Sequence, residues 1–191
     1  LLATGVTTFA GSPANRMHNI KVGTARYHGL LIPPAAIFSF NRFLGPVTAT
    51  AGYKPELVIK HNKTIPEYGG GLCQVSTTMF RAAALAGLGI TERRNHAYAV
   101  RYYGTPGFDA TIYPGVTDLR FQNNSGGNIL IQNHIEGTKL FFEIFGSSDG
   151  RKVELSGPQI LEQNSNGSLK TVLTRKIIMA DGTVKEDSFW S

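Results

Sequence analysis

The spacing of apolar residues divides the chain into two parts. In the first part, residues 14–28 and 75–88 carry apolar side chains at the interval of an amphipathic helix, and glycines close both runs. Short apolar or alternating runs at 1–10, 37–40 and 56–61 predict strands, with a connection at 30–34 and a turn at 41–46. An Asn-Lys pair at 62–63 predicts a hairpin turn that leads the chain to a glycine-rich stretch.

After the second helix the apolar period changes to two. Residues 97–103 and 109–113 predict two strands joined by a Gly-Thr-Pro-Gly turn, and 118–123 predicts another strand. Residues 128–135 and 139–145 predict a hairpin, 153–155 a last short strand, and 156–167 a loose stretch. Residues 169–179 and 183–190 predict a terminal hairpin. We therefore predict an α+β fold in which an antiparallel sheet packs on a central helix.

This pattern also predicts the domain organisation. Residues 1–150 are interpreted as the main domain, and residues 151–191 as a C-terminal hairpin extension that packs on it, since two strands rarely stand alone. The chain has 191 residues, enough to bury a core, and begins without Met, so it is interpreted as a piece of a longer protein. It contains no apolar run of membrane-spanning length and no visible signal peptide.

Composition narrows the possible partners. The chain is 41% hydrophobic and 17% charged, as in a soluble globular protein, and its formal net charge is +6. The basic residues are scattered and form no block with aromatic residues, so specific nucleic-acid binding is not predicted. A mildly basic surface suits an anionic partner such as a cell-wall polymer.

The only cysteine lies between three glycines and the predicted central helix. Gly69-Gly70-Gly71 precede Leu72-Cys73, and the polar string Gln-Val-Ser-Thr-Thr follows. A thiol at a helix N-terminus has a lowered pKa, because unpaired N–H groups and the helix dipole favour the thiolate. The glycines let the backbone approach a substrate, and nearby amides could hold an oxyanion. The alternative is a buried cysteine that acts as a small apolar residue.

A thiol nucleophile needs a base and a group that orients the base. His96 follows Cys73 by 23 residues and opens one predicted strand, and Asp109 opens the next strand. We predict that these three side chains form a triad, with His96 as the base and Asp109 as its orienting group. The two strands should pair, although His96 and Asp109 are not facing neighbours in a simple hairpin. The alternative is a surface histidine and an aspartate that terminates a turn.

Further residues are candidates for contacting a substrate, either from the glycine–cysteine region or from the first helix. The candidates are Gly70, Gly71, Gln74, Ser76, Thr77, Arg16 and Asn19. The two from the first helix are equally compatible with a solvated helix face. No histidine pair has metal-ligand spacing, and the glycine string lacks the Lys-Ser/Thr of a phosphate loop, so no metal or other cofactor is predicted.

Several motifs together resemble the VanW domain, a family named for an accessory protein of vancomycin-resistance clusters. They are Phe38-Ser39-Phe40-Asn41, Gly45-Pro46, Gly52-Tyr53, the string 69–78, Asn95-His96 and Asp109-Ala110-Thr111. The resemblance covers roughly residues 5–146. It implies a bacterial cell-envelope protein, membrane-anchored or secreted, with Cys73 as the nucleophile. Some members are reported to act as L,D-transpeptidases that cross-link peptidoglycan stems.

The order of helix-borne Cys, strand-borne His and strand-borne Asp also resembles transglutaminase-like and papain-like folds. The leading hypothesis is a cysteine acyltransferase that cleaves after the third residue of a tetrapeptide stem and transfers the acyl group to an amine of another stem. A carboxypeptidase or amidase on wall peptides would use the same triad. A peptidoglycan-binding module without chemistry is the third possibility.

Overall fold

The structure, a computed structural model, describes residues 1–60, 63–97, 99–104, 106–165 and 167–191. Its helices and strands are, in chain order, β1 (Ala3–Thr8), α1 (Ala14–Ala25), β2 (Leu30–Ile32), β3 (Ile37–Ser39), α2 (Phe40–Leu44), β4 (Pro55–Lys60), β5 (Lys63–Tyr68), α3 (Leu72–Leu85), β6 (Gly89–Glu92), β7 (Arg120–Gln122), β8 (Ile129–Glu136), β9 (Lys139–Gly146), β10 (Lys152–Gln163), β11 (Leu169–Ile178) and β12 (Val184–Trp190). All pairings between these strands are antiparallel. The predicted α+β fold with antiparallel sheets is confirmed.

The strands of the described residues form four small sheets instead of the single antiparallel sheet that the sequence predicts. Their orders are β1-β9-β8-β2, β3-β7-β6, β4-β5 and β10-β11-β12. The predicted hairpin over 128–145 is present as β8 and β9, but strands from the N-terminal part complete its sheet: Ala3 lies opposite Ile144, and Leu30 opposite Ile131. Long-range pairing therefore joins the two ends of residues 1–146, which local spacing does not reveal.

Helix α3 lies at the centre of these sheets and is buried on most sides. Its apolar residues Val75, Met79 and Phe80 are fully buried. Strand β1 crosses the helix so closely that a Cβ added at Gly5 would lie 2.2 Å from the carbonyl oxygen of Thr78. Only glycine fits there. In the described part of the chain, no helix is both long and apolar enough to cross a membrane.

The prediction of strands at 97–103 and 109–113 is wrong. Tyr98 in the first stretch and Thr105 in the turn between the two lie outside the described residues. The first stretch ends in one turn of 3₁₀ helix, Arg101–Tyr103, and the second makes only isolated bridges. Side chains of α3 bind the backbone groups that a strand ladder would otherwise use. Arg81 donates to the carbonyls of Phe108 (2.9 Å) and Tyr103 (2.6 Å), and Thr77 binds both backbone groups of Ala110.

Three further expectations change. The connection at 30–34 contains β2, the turn at 41–46 contains α2, and most of the loose stretch at 156–167 belongs to β10. The central helix also starts three residues earlier than its apolar spacing predicts, because Leu72 is already helical. Of the two residues predicted to form the hairpin turn, Lys63 is the first residue of β5, and Asn62 lies outside the described residues.

The predicted terminal hairpin is confirmed as β11 and β12, and β10 extends it to three strands. This sheet packs against the C-terminal end of α3. Arg175, which is only 1% exposed, donates to the carbonyls of Ala84 (3.1 Å) and Leu88 (2.9 Å). The ring of Phe189 meets that of Phe80 edge-on at 5.4 Å. The C-terminal sheet thus provides a hydrogen-bond donor at the C-terminal end of α3, where the carbonyl of Ala84 also accepts from the Gly87 N–H at 3.1 Å.

Candidate active site

The three glycines place Cys73 in the first turn of α3. Gly69 and Gly71 have positive φ angles of 87° and 109°, and Gly71 is the N-cap. A Cβ at Gly70 would lie 2.8 Å from Cβ of Glu56 and 3.0 Å from a carbonyl of β4. The glycines therefore permit a close approach between segments of the chain itself. Cys73 is the second helical residue, where backbone N–H groups lack intrahelical partners.

The thiol of Cys73 faces residues 111–112 and His96. Its sulfur lies 3.4 Å from Oγ1 of Thr111 and 3.5 Å from the carbonyl oxygen of Ile112. The nearby His96 ring acts on the thiol through its charge and a hydrogen-bond contribution that lowers the thiol pKa. Because Nδ1 of His96 is bound elsewhere, Nε2 is the ring nitrogen that serves the thiol.

Asp109 holds His96 from the other side. One carboxylate oxygen accepts from the ring Nδ1 at 2.5 Å and from the backbone N–H of His96 at 2.8 Å. Arg93 binds the other oxygen at 3.3 Å. The structure thus brings Cys73, His96 and Asp109 together, although neither His96 nor Asp109 lies on a strand. Arg93 is a fourth member that the sequence analysis missed.

The charges of these groups are coupled. Burial raises the pKa of Cys73, but the hydrogen bond and charge of His96 outweigh it, and the thiol pKa is lowered. Burial lowers the pKa of His96, but hydrogen bonds to Asp109 and Cys73 raise it to about 9. Burial raises the pKa of Asp109, but His96 and Arg93 lower it by more than burial raises it. The net pKa is lowered, and the carboxylate stays ionised. The pKa shifts of Cys73 and His96 both act in the direction of a thiolate–imidazolium pair.

Tyr103 closes one side of this group. Its ring centroid lies 5.1 Å from that of His96. Burial and the nearby Cys73 charge raise the pKa of Tyr103 well above its ordinary value, so its phenol stays neutral. Nothing in the local sequence distinguishes Tyr103 or Thr111 from packing residues. Arg93 had one signal, its position three residues before His96, but its partner Asp109 is distant in sequence.

Three of the predicted substrate contacts lie inside the protein. Gln74, Ser76 and Thr77 are fully buried. Gln74 donates to Oγ1 of Thr7 at 3.0 Å, and Ser76 donates to the carbonyl of Ala110 at 2.6 Å. These side chains hold β1 and the 109–112 segment against α3. We therefore assign them a positioning role instead of substrate contact, because their polar groups point into the protein.

Of the two α1 residues predicted to contact a substrate, one makes only contacts inside the protein and the other lines the cleft. Asn19 is fully buried; it donates to the carbonyls of Lys54 (2.9 Å) and Gly70 (3.1 Å) and accepts from the Lys54 N–H. Asn19 thus links the glycine string to the start of the β4–β5 hairpin. The carbonyl of Gly70 takes part in this internal contact, and Gly70 is not among the residues that line the cleft. Arg16 and Gly71, in contrast, line the cleft that contains Cys73.

This cleft has a volume of about 810 Å³. Its walls are the β4–β5 hairpin, the 100–103 turn and the 111–114 segment, and its lining includes Leu57, Glu67, Tyr68, Tyr102 and Tyr113. A smaller cavity of about 260 Å³ lies behind His96 and Asp109, against the start of β11. The large cleft is the one in which a substrate would reach the thiol, and its size suits a peptide-sized ligand.

The residues described by the structure include no group of three or more His, Cys, Asp or Glu side chains arranged to hold a metal ion. The described residues around the sulfur provide a thiol, an imidazole and the backbone amides of a helix start. Such a set can form and resolve a covalent acyl intermediate.

Fold and site together define an α+β protein with a cysteine at a helix start, paired with a histidine and an aspartate. The family model described as VanW like protein matches residues 15–145, and the chain belongs to the VanW family. The resemblance carried by the sequence motifs is thereby confirmed.

Two relatives support this assignment. The uncharacterized protein YoaR of Bacillus subtilis (strain 168) is 37% identical over 142 residues, covering 74% of this chain and 46% of YoaR. The vancomycin B-type resistance protein VanW of Enterococcus faecalis (strain ATCC 700802 / V583) is 29% identical over 164 residues, covering 83% of this chain and 56% of VanW. The chain spans about half the length of these relatives. No solved structure matches it.

Proposed function

We propose that this chain is a cysteine acyltransferase of the bacterial cell envelope, acting on peptidoglycan stem peptides as an L,D-transpeptidase. One observation carries the proposal: the Cys73 thiol faces a large cleft and is paired with His96, which Asp109 holds through Nδ1. Membership of the VanW family and a relative named for vancomycin resistance support a role in the cell wall.

In the acylation step, the Cys73 thiolate attacks the carbonyl carbon between the third and fourth residues of a tetrapeptide stem. Backbone N–H groups of the first turn of α3 stabilise the oxyanion that forms. The His96 imidazolium gives its Nε2 proton to the leaving nitrogen, the C–N bond breaks, and the terminal D-residue departs as an amine. A thioester on Cys73 remains.

In the second step, a side-chain amine of another stem attacks the thioester carbonyl. His96, now neutral, takes a proton from the attacking nitrogen, and the C–S bond breaks. The products are a new peptide cross-link and the restored thiolate–imidazolium pair. If water attacks instead, the same groups make a carboxypeptidase.

We further propose a transglutaminase-like or papain-like arrangement, in which the nucleophile begins a helix and its partners come from later segments. We assign the catalytic domain to residues 1–150 and an accessory sheet to 151–191, and we place the domain outside the cell. The accessory sheet also supports the site, since Arg93 donates to the Trp190 carbonyl (2.7 Å) while it binds Asp109.

The direct test is to mix the protein with purified tetrapeptide muropeptides, and to measure intact protein mass and small products from the same tube. Wild type should gain an acyl adduct and form dimeric muropeptides, whereas Cys73→Ala and His96→Ala should do neither. His134→Ala is the matched control, because His134 stacks on Phe141 away from the cleft. An adduct with only shortened monomers would establish a carboxypeptidase. Unchanged muropeptides with no adduct would count against the enzyme and favour a binding module.

A further inference from the structure

Arg16 is a buried cation in the wall of the cleft that holds Cys73. It lies in the first turn of α1, and the residue is 9% exposed. Its side chain packs against the glycine string: a Cβ added at Gly71 would lie 3.1 Å from Cγ of Arg16. Gly71 is only two residues before Cys73. The guanidinium and the thiol therefore face the same cleft from neighbouring parts of its wall.

The protein itself gives this guanidinium few partners. Nη1 donates to Oγ of Ser12 at 2.8 Å, and Cζ lies 4.0 Å from the ring centroid of Tyr102. All acidic side chains of the chain lie in the described ranges, and none of the ion pairs there involves Arg16. A buried charge without a counter-charge is costly unless something else compensates it.

Two other buried arginines show the usual solution. Arg93 pairs with Asp109, and Arg175 pairs with Asp187. Arg16 instead donates one hydrogen bond to a side chain of the described residues, out of five N–H donors, and it lines the cleft. Stacking on Tyr102 orients the plane of the guanidinium, and a planar fork matches the two oxygens of a carboxylate.

We propose that Arg16 binds a carboxylate of the acyl donor and makes the cleft selective for anionic peptides. The identity of that donor rests on the proposed function. A stem peptide can present the carboxylate from two places near the scissile bond, namely the C-terminus of the leaving residue or the side chain of the third residue. Both present the same chemistry to the guanidinium, and the experiment separates them.

The first test needs no natural substrate. N-iodoacetyl-D-alanine and its C-terminal amide carry the same reactive carbon and differ in one negative charge. Wild type should alkylate Cys73 with the acid about ten-fold faster than with the amide, relative to a free thiol. Arg16→Gln should lose this preference, and Arg16→Lys should keep part of it.

Arg26→Gln is the matched control, because it removes the same charge at the C-terminal end of α1, where Arg26 binds the carbonyl of Ala51 outside the cleft. It should keep the wild-type ratio. A damaged site slows both probes together, so poor folding of Arg16→Gln cannot imitate a change in the ratio. An acid-to-amide ratio that is equal in wild type and Arg16→Gln overturns the proposal.

The second test uses tetrapeptide stems with one carboxylate amidated at a time. The amidation that slows acylation of wild type, and has no effect on Arg16→Gln, identifies the group that Arg16 binds. Equal acylation of all stems by both proteins overturns the inference. If no stem acylates wild type, the transpeptidase proposal fails, and the ratio for the two alkylating probes still decides the role of Arg16.

Discussion

Replacing Asp109 by Asn tests whether one carboxylate controls the protonation of the whole site. The substitution keeps the size of the side chain and removes its negative charge. In wild type, a single oxygen of Asp109 accepts from both the ring and the backbone of His96. An amide at this position can present N–H where the oxygen was, and then it no longer fixes the tautomer that leaves Nε2 for Cys73.

The structure sets the size of the effect. The rise of the His96 pKa from 6.5 to about 9 corresponds to ~3 kcal/mol in favour of the imidazolium. Without Asp109, burial lowers this pKa and only Cys73 opposes it. The imidazolium is also the largest cause that lowers the Cys73 pKa against burial, so the thiol pKa should rise when the imidazolium is lost. Each unit of that rise removes about nine-tenths of the thiolate below the pKa.

The assay is the rate of Cys73 alkylation by iodoacetamide between about pH 5 and pH 10, followed by intact mass. Wild type should already react rapidly below pH 7 and change again near pH 9, where the imidazolium loses its proton. Asp109→Asn should react at least about ten-fold more slowly at pH 6.5 and show one alkaline rise. Asp149→Asn, which alters an exposed pair with Arg151, should match wild type.

Two results would refute this reasoning. If Asp109→Asn keeps the wild-type profile, the carboxylate does not set the state of His96. If wild type itself shows only an ordinary alkaline thiol, the ion pair is absent, and a binding module explains the cleft better than an enzyme.

Three further predictions concern the packing around α3, each measured by urea denaturation. Gly5→Ala should cost ~3 kcal/mol or more, since its Cβ would meet helix backbone at 2.2 Å, whereas Gly126→Ala, with open space around it, should be nearly neutral. Arg175→Met should cost ~2–4 kcal/mol by removing the buried hydrogen bonds to the carbonyls of Ala84 and Leu88 and the ion pair with Asp187, while Lys176→Met on the opposite strand face should cost little. Thr77→Val should cost ~1–3 kcal/mol and also slow alkylation, because its hydroxyl anchors the segment that carries the triad carboxylate. Stability losses no larger than those of the controls would contradict the first two, and an unchanged alkylation rate would contradict the third.

The cysteine and its helix could be predicted because their signals are local. The apolar spacing of residues 75–88 predicts a helix that overlaps most of α3, and the glycines mark its start through φ angles that other residues rarely adopt. The β8–β9 and β11–β12 hairpins could also be predicted from the sequence, because alternation and turn residues act over a short range. In contrast, the pairing of β1 with β9 joins residues more than 130 positions apart, and no local pattern encodes it.

The surroundings of His96 and Asp109 could not be predicted, because distant side chains replace the expected strand ladder. Alternation over 97–113 resembles two strands, yet Arg81 and Thr77 take up carbonyl and amide groups of this region. The sequence of a helix does not show which distant backbone groups its hydroxyl or guanidinium side chains will bind. For the same reason, the sequence could not show that the polar residues after Cys73 bind other parts of the protein, and they were predicted to contact a substrate.

The string after Cys73 therefore has a different physical meaning from the one its polarity suggests. Ser76 and Thr77 bind the backbone of Ala110, the residue next to Asp109, so the helix that starts with the thiol also holds the carboxylate. A loop fixed in this way needs no strand to keep His96 oriented. Because buried hydroxyls that lose their partners are costly, the segment has little freedom to move away. One helix thus positions the proposed nucleophile and, through Asp109, the proposed base, and such preorganisation is what electrostatic catalysis requires.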